Sequence, residues 1–149
     1  MADGRVVQGQ SHIVCDNFKK IKVRGTPPRI YAICGLLAIF DALIDWHETG
    51  AKPDDVPKVP TPDKVDGWAF LVIDRSGPKL YQNTVPYPYP VTYPFAMGCG
   101  DVYALTLLDA GFSPEEAVRA AFKREAHAGG EIQVVNIAEA LGQLREAAE

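Results

Sequence analysis

A short apolar segment that leads into a glycine-bracketed turn constrains this chain most. Residues 95–97 precede the turn Gly98-Cys99-Gly100, and residues 101–109 follow with apolar positions at helical spacing. A strand–turn–helix junction of this kind places backbone N–H groups and one small side chain where the partial positive charge of a helix gathers. The sequence therefore predicts a helix start at residue 101 and marks Cys99 as a candidate site residue. The turn lacks the third glycine and the following acidic residue of a dinucleotide-binding fingerprint.

Size and charge exclude several classes of function. A chain of 149 residues is long enough for one domain with its own core, and we predict a single domain over residues 1–149. A formal net charge of −4 and the lack of a strong Lys/Arg cluster argue against nucleic-acid binding. No apolar run reaches the length of a membrane span, and no secretion signal is recognisable. We expect neither a nucleic-acid partner nor a membrane partner.

The cysteines and histidines point away from metal and disulfide chemistry. Three cysteines, Cys15, Cys34 and Cys99, are widely spaced without a C-x-x-C pair, and the three histidines are scattered. We therefore expect no metal, no cofactor and a reducing, cytoplasmic setting.

The order of predicted elements favours an α+β fold over a doubly wound parallel one. Residues 51–66 are predicted as an exposed connection, and residues 86–94 as extended surface chain because proline interrupts them at alternate positions. A capping box, with Ser113 at the N-cap and Glu116 at N3, predicts a helix start. Strands are predicted at residues 5–7, 12–14, 20–23, 29–34, 68–73, 79–82 and 132–135, and helices at residues 36–47, 101–109, from 114 onward and at 138–148.

Several segments together resemble the proteasome β-subunit type of N-terminal-nucleophile (Ntn) hydrolases and related bacterial and phage peptidases. The resemblance implies a four-layer α-β-β-α sandwich of antiparallel sheets, here with a truncated N-terminal strand. It rests on residues 3–5, 16–21, 31–35, Gly98-Cys99-Gly100 with Tyr103-Ala104, and 125–130.

The resemblance also implies a chemical role for each residue of the site. In that family the hydroxyl of an N-terminal threonine attacks, and its own α-amine, whose pKa lies near neutrality, acts as the base. An aspartate orients the site, and a lysine supplies positive charge that favours the deprotonated groups. Asp3 matches the aspartate and Lys20 the lysine. Lys19 is the alternative lysine, because the length of the preceding hairpin leaves one residue of ambiguity.

Three positions depart from the family pattern. Cys99 stands where the family's turn serine lies, either as a hydrogen-bonding substitute or as a thiol with a lowered pKa at a helix N-terminus. Glu125 replaces an aspartate, and Ala128 replaces a serine and cannot donate a hydrogen bond. Only Met1 and Ala2 precede Asp3, and neither is a nucleophile, so we expect the chain as given to lack the nucleophile.

Two functions from different classes follow from the resemblance. The first is a threonine peptidase or amide-bond hydrolase with a peptide substrate, inactive as given without its N-terminal threonine. The alternative is a non-catalytic structural or binding subunit of the same fold. Both imply a homo-oligomer that forms a ring or part of one. A Cys99-based thiol hydrolase, with His127 as the partner of Cys99, is a third hypothesis.

Overall fold

The computed structural model describes residues 1–8, 12–58, 67–83 and 85–142. Over these residues the protein is a mixed α+β structure with antiparallel sheets and helices, as the element order predicts. The chain divides into two compact units, Met1–Ile21 with Thr92–Asn136, and Lys22–Val91 with Ile137–Glu149. The single domain over 1–149 stays a prediction.

The first unit contains short antiparallel ribbons and two helices. Its elements are β1 (Ala2–Asp3), β2 (Val6–Gln8), β3 (His12–Cys15), α2 (Asp101–Asp109), α3 (Pro114–Arg124) and β9 (Ile132–Gln133). Strand β1 pairs with β9, with Asp3 opposite Ile132, and β2 pairs with β3, with Gln8 opposite His12.

Local sequence determines where the two helices of the first unit begin. Gly98 has φ of +105°, a conformation that favours glycine, and the helix after it begins at Asp101 as predicted. Helix α3 begins with the predicted capping box, because the Ser113 hydroxyl accepts from the Glu116 N–H while the Glu116 carboxylate accepts from the Ser113 N–H. Val102, the second residue of α2, is 69% exposed.

The second unit is built on a five-stranded antiparallel sheet. Its elements are β4 (Ile21–Arg24), β5 (Arg29–Gly35), α1 (Phe40–Glu48), β6 (Trp68–Asp74), β7 (Gly77–Gln82), β8 (Val85–Pro90) and α4 (Ile137–Ala140); β4 begins at the last residue of the first unit. The strands lie in the order β4-β5-β6-β7-β8, and β5 and β6 pair in register from Ile30 opposite Ile73 to Gly35 opposite Trp68. The apolar and β-branched residues of β5 and β6 suit a buried sheet face.

An aromatic cluster forms the core of the second unit. Tyr31 stacks on Phe70 with ring centroids 5.6 Å apart, and Phe40 of α1 meets the same Phe70 ring edge-on. Trp46 packs edge-on against Tyr81 at 5.3 Å. Such pairs contribute about 0.5–1.5 kcal/mol beyond the burial of their apolar area.

The first helix begins later than the sequence predicts. Residues 37–39 form a 3₁₀ turn, and the α-helix starts at Phe40 rather than at Leu36. The cause is the end of β5: the Leu36 N–H still donates to Gly67 O, and Gly35 lies so close to Gly67 O that a Cβ at position 35 would collide with it. This contact holds residue 36 extended and delays the helix.

The Pro/Tyr segment was predicted as surface chain, and most of it is a strand. Val85–Pro90 pairs with β7, with Leu80 opposite Tyr89 and Lys79 opposite Pro90. Proline is compatible with an edge strand because its missing N–H removes no hydrogen bond when it faces away from the neighbour.

The strand predicted before the Gly98 turn is not formed, because residues 95–97 are irregular. The remaining differences lie at the ends of elements. β9 is limited to Ile132–Gln133 instead of reaching residue 135, and the last described helix covers Ile137–Ala140. The predicted helical residues 143–148, and residues 59–66 of the predicted connection, lie outside the described residues.

Candidate functional site

The candidate site of the first unit is centred on the carboxylate of Asp3. Asp3 is the last residue of β1, and its Oδ2 accepts hydrogen bonds from Gly129 N–H at 3.0 Å and Arg5 N–H at 3.3 Å. Its other oxygen, Oδ1, accepts from Lys20 Nζ at 2.8 Å. The charge is therefore held by one ammonium and two backbone donors, which fix its orientation.

Lys20 is the lysine that reaches Asp3. The two side chains are only 13% and 19% exposed. Lys19, the alternative left open by the sequence, instead lies 3.6 Å from the Glu131 carboxylate, and both of those side chains are mainly exposed. A shielded pair attracts more strongly than a solvated one because water screens it less.

The backbone around Lys20 is held by two contacts. The Gln133 side chain accepts from the Ile21 N–H at 2.9 Å and donates to Ile21 O at 2.6 Å. The Phe18 N–H donates to Gly4 O at 2.9 Å, which joins the segment before Lys20 to the residue after Asp3. The sequence predicts Asp3 and Lys20 as site residues, and the structure brings them together.

Arg5 connects three parts of the first unit, and no role for it was predicted from the sequence. Its guanidinium binds the Asp16 carboxylate, with Nε to Oδ1 at 2.7 Å. A second nitrogen of the group, Nη1, donates to Ala126 O at 3.1 Å and to Ala128 O at 3.4 Å. The hydrogen bond from Arg5 is the largest of the effects that lower the pKa of Asp16. Arg5 therefore holds the loop before Gly129 against the strand that carries Asp3.

The two adjacent glycines allow this close packing. A Cβ at Gly129 would lie 2.5 Å from Cζ of Arg5, and Gly129 O accepts from both the Gly4 and Arg5 N–H groups. Gly130 has φ of +77°, and a Cβ there would collide with Asp16 O. We call the contacts of Arg5 with Asp16, Ala126 and Ala128 the Arg5 clamp. In the sequence, the signal for this clamp is Arg5 together with the pair Gly129-Gly130, because the guanidinium packs where a Cβ at Gly129 would lie.

The pKa of the Cys99 thiol responds to the same charges. Although the residue is exposed as a whole, partial burial raises the pKa of its thiol, and the negative charges of Glu125 and Asp3 raise it further. Lys20 acts in the opposite direction and more weakly. The pKa of Cys99 is thus shifted upward, in the direction opposite to the lowered pKa considered from the sequence.

Glu125 interacts with His127. Its Oε1 accepts from the His127 N–H at 3.0 Å and lies 2.6 Å from His127 Nδ1. These hydrogen bonds, the backbone one first, lower the pKa of Glu125. The Nδ1 side of His127 thus faces Glu125.

Ala128 contributes packing at the site. It is buried, and the Cβ of a residue larger than glycine at position 100 would lie 3.8 Å from the Ala128 Cβ and 3.1 Å from that of Ala121. Gly100 therefore allows the start of α2 to pack closely on α3 and on the loop that carries Ala128.

The arrangement stabilises a negative charge and keeps an ammonium beside it. Among the residues that the structure describes, no group of His, Cys, Asp and Glu side chains is arranged to hold a metal ion. Within the same residues, no helix has the length and apolar character that crossing a bilayer requires. None of the three cysteines, all of them described, forms a disulfide.

His47 belongs to the core of the second unit. Its Nδ1 lies 3.2 Å from the Tyr31 hydroxyl, and its ring packs edge-on against Tyr31 and Tyr81. Burial lowers the pKa of His47, and Arg29 is the next cause in the same direction. These contacts are those of a core-edge histidine.

No protein-family model matches the sequence, and no curated protein matches it.

Proposed function

We propose that this chain is a proteasome-like Ntn hydrolase scaffold for amide-bond cleavage, in which Asp3 and Lys20 are the charged pair beside an N-terminal nucleophile. The observation that carries the proposal is the shielded contact of 2.8 Å between Lys20 Nζ and Asp3 Oδ1. A pair whose negative partner is oriented by backbone N–H groups keeps the ammonium in one place.

The role of each group follows from its charge. The Lys20 ammonium favours the deprotonated forms of a hydroxyl and an amine placed next to it, which is what an attacking N-terminal threonine requires. Asp3 binds the Lys20 ammonium through Oδ1 and accepts the Gly129 N–H through Oδ2, so its carboxylate is fixed beside the nucleophile. In this proposal the threonine is carried by sequence outside the 149 residues, and the substrate is a peptide.

We also propose the four-layer fold of the family, a ring assembly and a cytoplasmic setting for this chain. The four-layer α-β-β-α arrangement of the family would place its sheets between outer helices, and a homo-oligomeric ring would form through those helices. The reduced cysteines support a cytoplasmic setting.

The alternative is a non-catalytic ring or binding subunit, and the second half of the site favours it. Ala128 has no donor, Glu125 interacts with His127, and the pKa of Cys99 is raised. The family resemblance implies serines at positions 99 and 128 and an aspartate at position 125, and this chain has none of these three side chains.

Hydrolysis assays with the native protein test the proposal. We expect cleavage of fluorogenic peptide amides, reduced about a hundredfold or more in kcat/KM by Lys20→Ala. Lys19→Ala is the matched control and is expected to keep wild-type activity, because its partner Glu131 lies on the surface. Cleavage that Lys20→Ala leaves unchanged would refute the role of the pair, and no cleavage by the native protein would favour the alternative.

A further inference from the structure

Strand β8 lies at the end of the described sheet order and carries proline at every second position. Its neighbour on one side is β7, and the described part of the chain places no strand on its other side. The prolines are Pro86, Pro88 and Pro90, and the residues between and after them, Tyr87, Tyr89 and Val91, have backbone N–H groups.

The hydrogen bonds to β7 determine which way each residue faces. In an antiparallel pair, residues whose N–H and C=O face the partner alternate with residues whose groups face away. The Val91 N–H donates to Pro78 O at 3.2 Å, so Val91 faces β7. Tyr89, two residues earlier and opposite Leu80, faces the same way, and Pro90 between them faces outward.

Paired residues that carry a backbone N–H lie on both sides of an irregularity in the strand. The register shifts between Leu80 and Gln82, and after the shift Gln82 lies opposite Val85. Val85 and Tyr89 are both odd-numbered, whereas every proline of the strand is even-numbered. Pro90 lies between two residues that face β7, and we infer the same outward position for the other prolines from their even spacing.

We propose that the prolines close the outer edge of β8 to strand addition, by a second copy of this chain or by any other extended segment. The outward-facing positions present carbonyl oxygens but no N–H donors. An added strand needs donors as well as acceptors from the edge, so it would leave its own carbonyl groups unpaired. The exposed rings of Pro88 and Pro90 also stand where an added backbone would approach.

The closure matters because this edge would otherwise be prone to association. Tyr87 and Tyr89 are large, exposed aromatic side chains on the same strand, and aromatic residues favour β pairing. An exposed apolar edge strand with free N–H groups is a template for further strands. Regular backbone pairing with a partner strand is thus blocked at this edge, and assembly of the protein does not extend the five-stranded sheet through β8.

Restoring the donors tests the proposal. In Pro88→Ala/Pro90→Ala, sedimentation velocity over micromolar to millimolar protein is expected to show association beyond the wild-type distribution. The matched control is Pro114→Ala, an exposed proline at the first position of α3, and we expect it to sediment like the wild type. A double variant that folds and sediments like the wild type at every concentration would overturn the proposal.

The single variant Pro90→Ala tests the geometry on its own and perturbs the strand less. Hydrogen exchange followed by NMR should show the new amide at position 90 exchanging at nearly the rate of an unprotected amide in dilute solution, and more slowly as concentration rises. Strong protection of that amide in dilute solution would mean that it faces β7, and the proposed closure would be wrong.

Discussion

At the scale of single residues, the candidate site depends on Asp3. Its carboxylate accepts one hydrogen bond from an ammonium and two from the backbone, and two of these donors, Lys20 and Gly129, are distant from Asp3 in sequence. The sequence predicted Asp3 and Lys20 through their resemblance to a family pattern. It did not resolve Lys19 from Lys20, because one residue of hairpin length decides which side chain reaches the carboxylate.

Removal of the lysine is expected to destabilise the fold. In Lys20→Ala the partly buried Asp3 loses its charged partner, and we expect a loss of about 1–3 kcal/mol in the free energy of unfolding at pH 7, between the values for exposed and buried pairs. Urea unfolding measures it. Lys19→Ala is the control, with an expected change within about 0.5 kcal/mol. Equal effects of the two substitutions would contradict the assignment.

His47 is expected to make stability depend on pH. Burial lowers its pKa in the folded state, so the unfolded chain binds more protons when the pH falls below the ordinary histidine value of about 6.5. The stability contributed by neutral His47 is present above that pH and is lost as the solution is acidified below it. Thermal unfolding between pH 7.5 and 5.5 should show this loss.

Two histidine variants separate this effect from other titrations. His47→Gln is expected to flatten the pH profile, whereas His12→Gln is expected to leave it unchanged, since His12 is exposed. A profile in which His47→Gln keeps the full wild-type slope would assign the pH dependence to other groups.

At the scale of elements, the sequence predicted which helices and strands form better than it predicted the residues at which they begin and end. The capping box and the Gly98 turn act locally, so α2 and α3 begin where predicted. The start of α1 and the pairing of β8 depend on Gly67 and on β7, residues distant in sequence, and the sequence predicted neither. Proline at alternate positions was interpreted only as extended surface chain, although it also fits an edge strand.

The loop that carries Gly129 is expected to loosen when its clamp is removed. Arg5→Ala removes the donors to Ala126 O and Ala128 O, and we expect the Gly129 amide to exchange about tenfold faster or more by NMR hydrogen exchange. Arg119→Ala, which removes an exposed pair within α3, is the control and should not alter that amide. Unchanged exchange at Gly129 in Arg5→Ala would show that the glycine contacts alone hold the loop.

At the scale of the whole molecule, the α+β class with antiparallel sheets was predictable because strands cluster into ribbons separated from the helices. The division into two compact units was not predicted from the sequence. Its cause is long-range: residues 1–21 and 92–136 come together through contacts such as Asp3 with Gly129, which no local pattern encodes.

The identity of the first residue of the native protein tests the central claim most directly. Intact mass and N-terminal sequencing of the protein from its natural source would identify it. A peptide epoxyketone, which needs a hydroxyl and an adjacent α-amine to form its full adduct, would report its reactivity. We predict an N-terminal threonine that carries the adduct, with adduct formation lost in Lys20→Ala and kept in Lys19→Ala. A first residue with neither hydroxyl nor thiol, and no adduct, would contradict the hydrolase proposal.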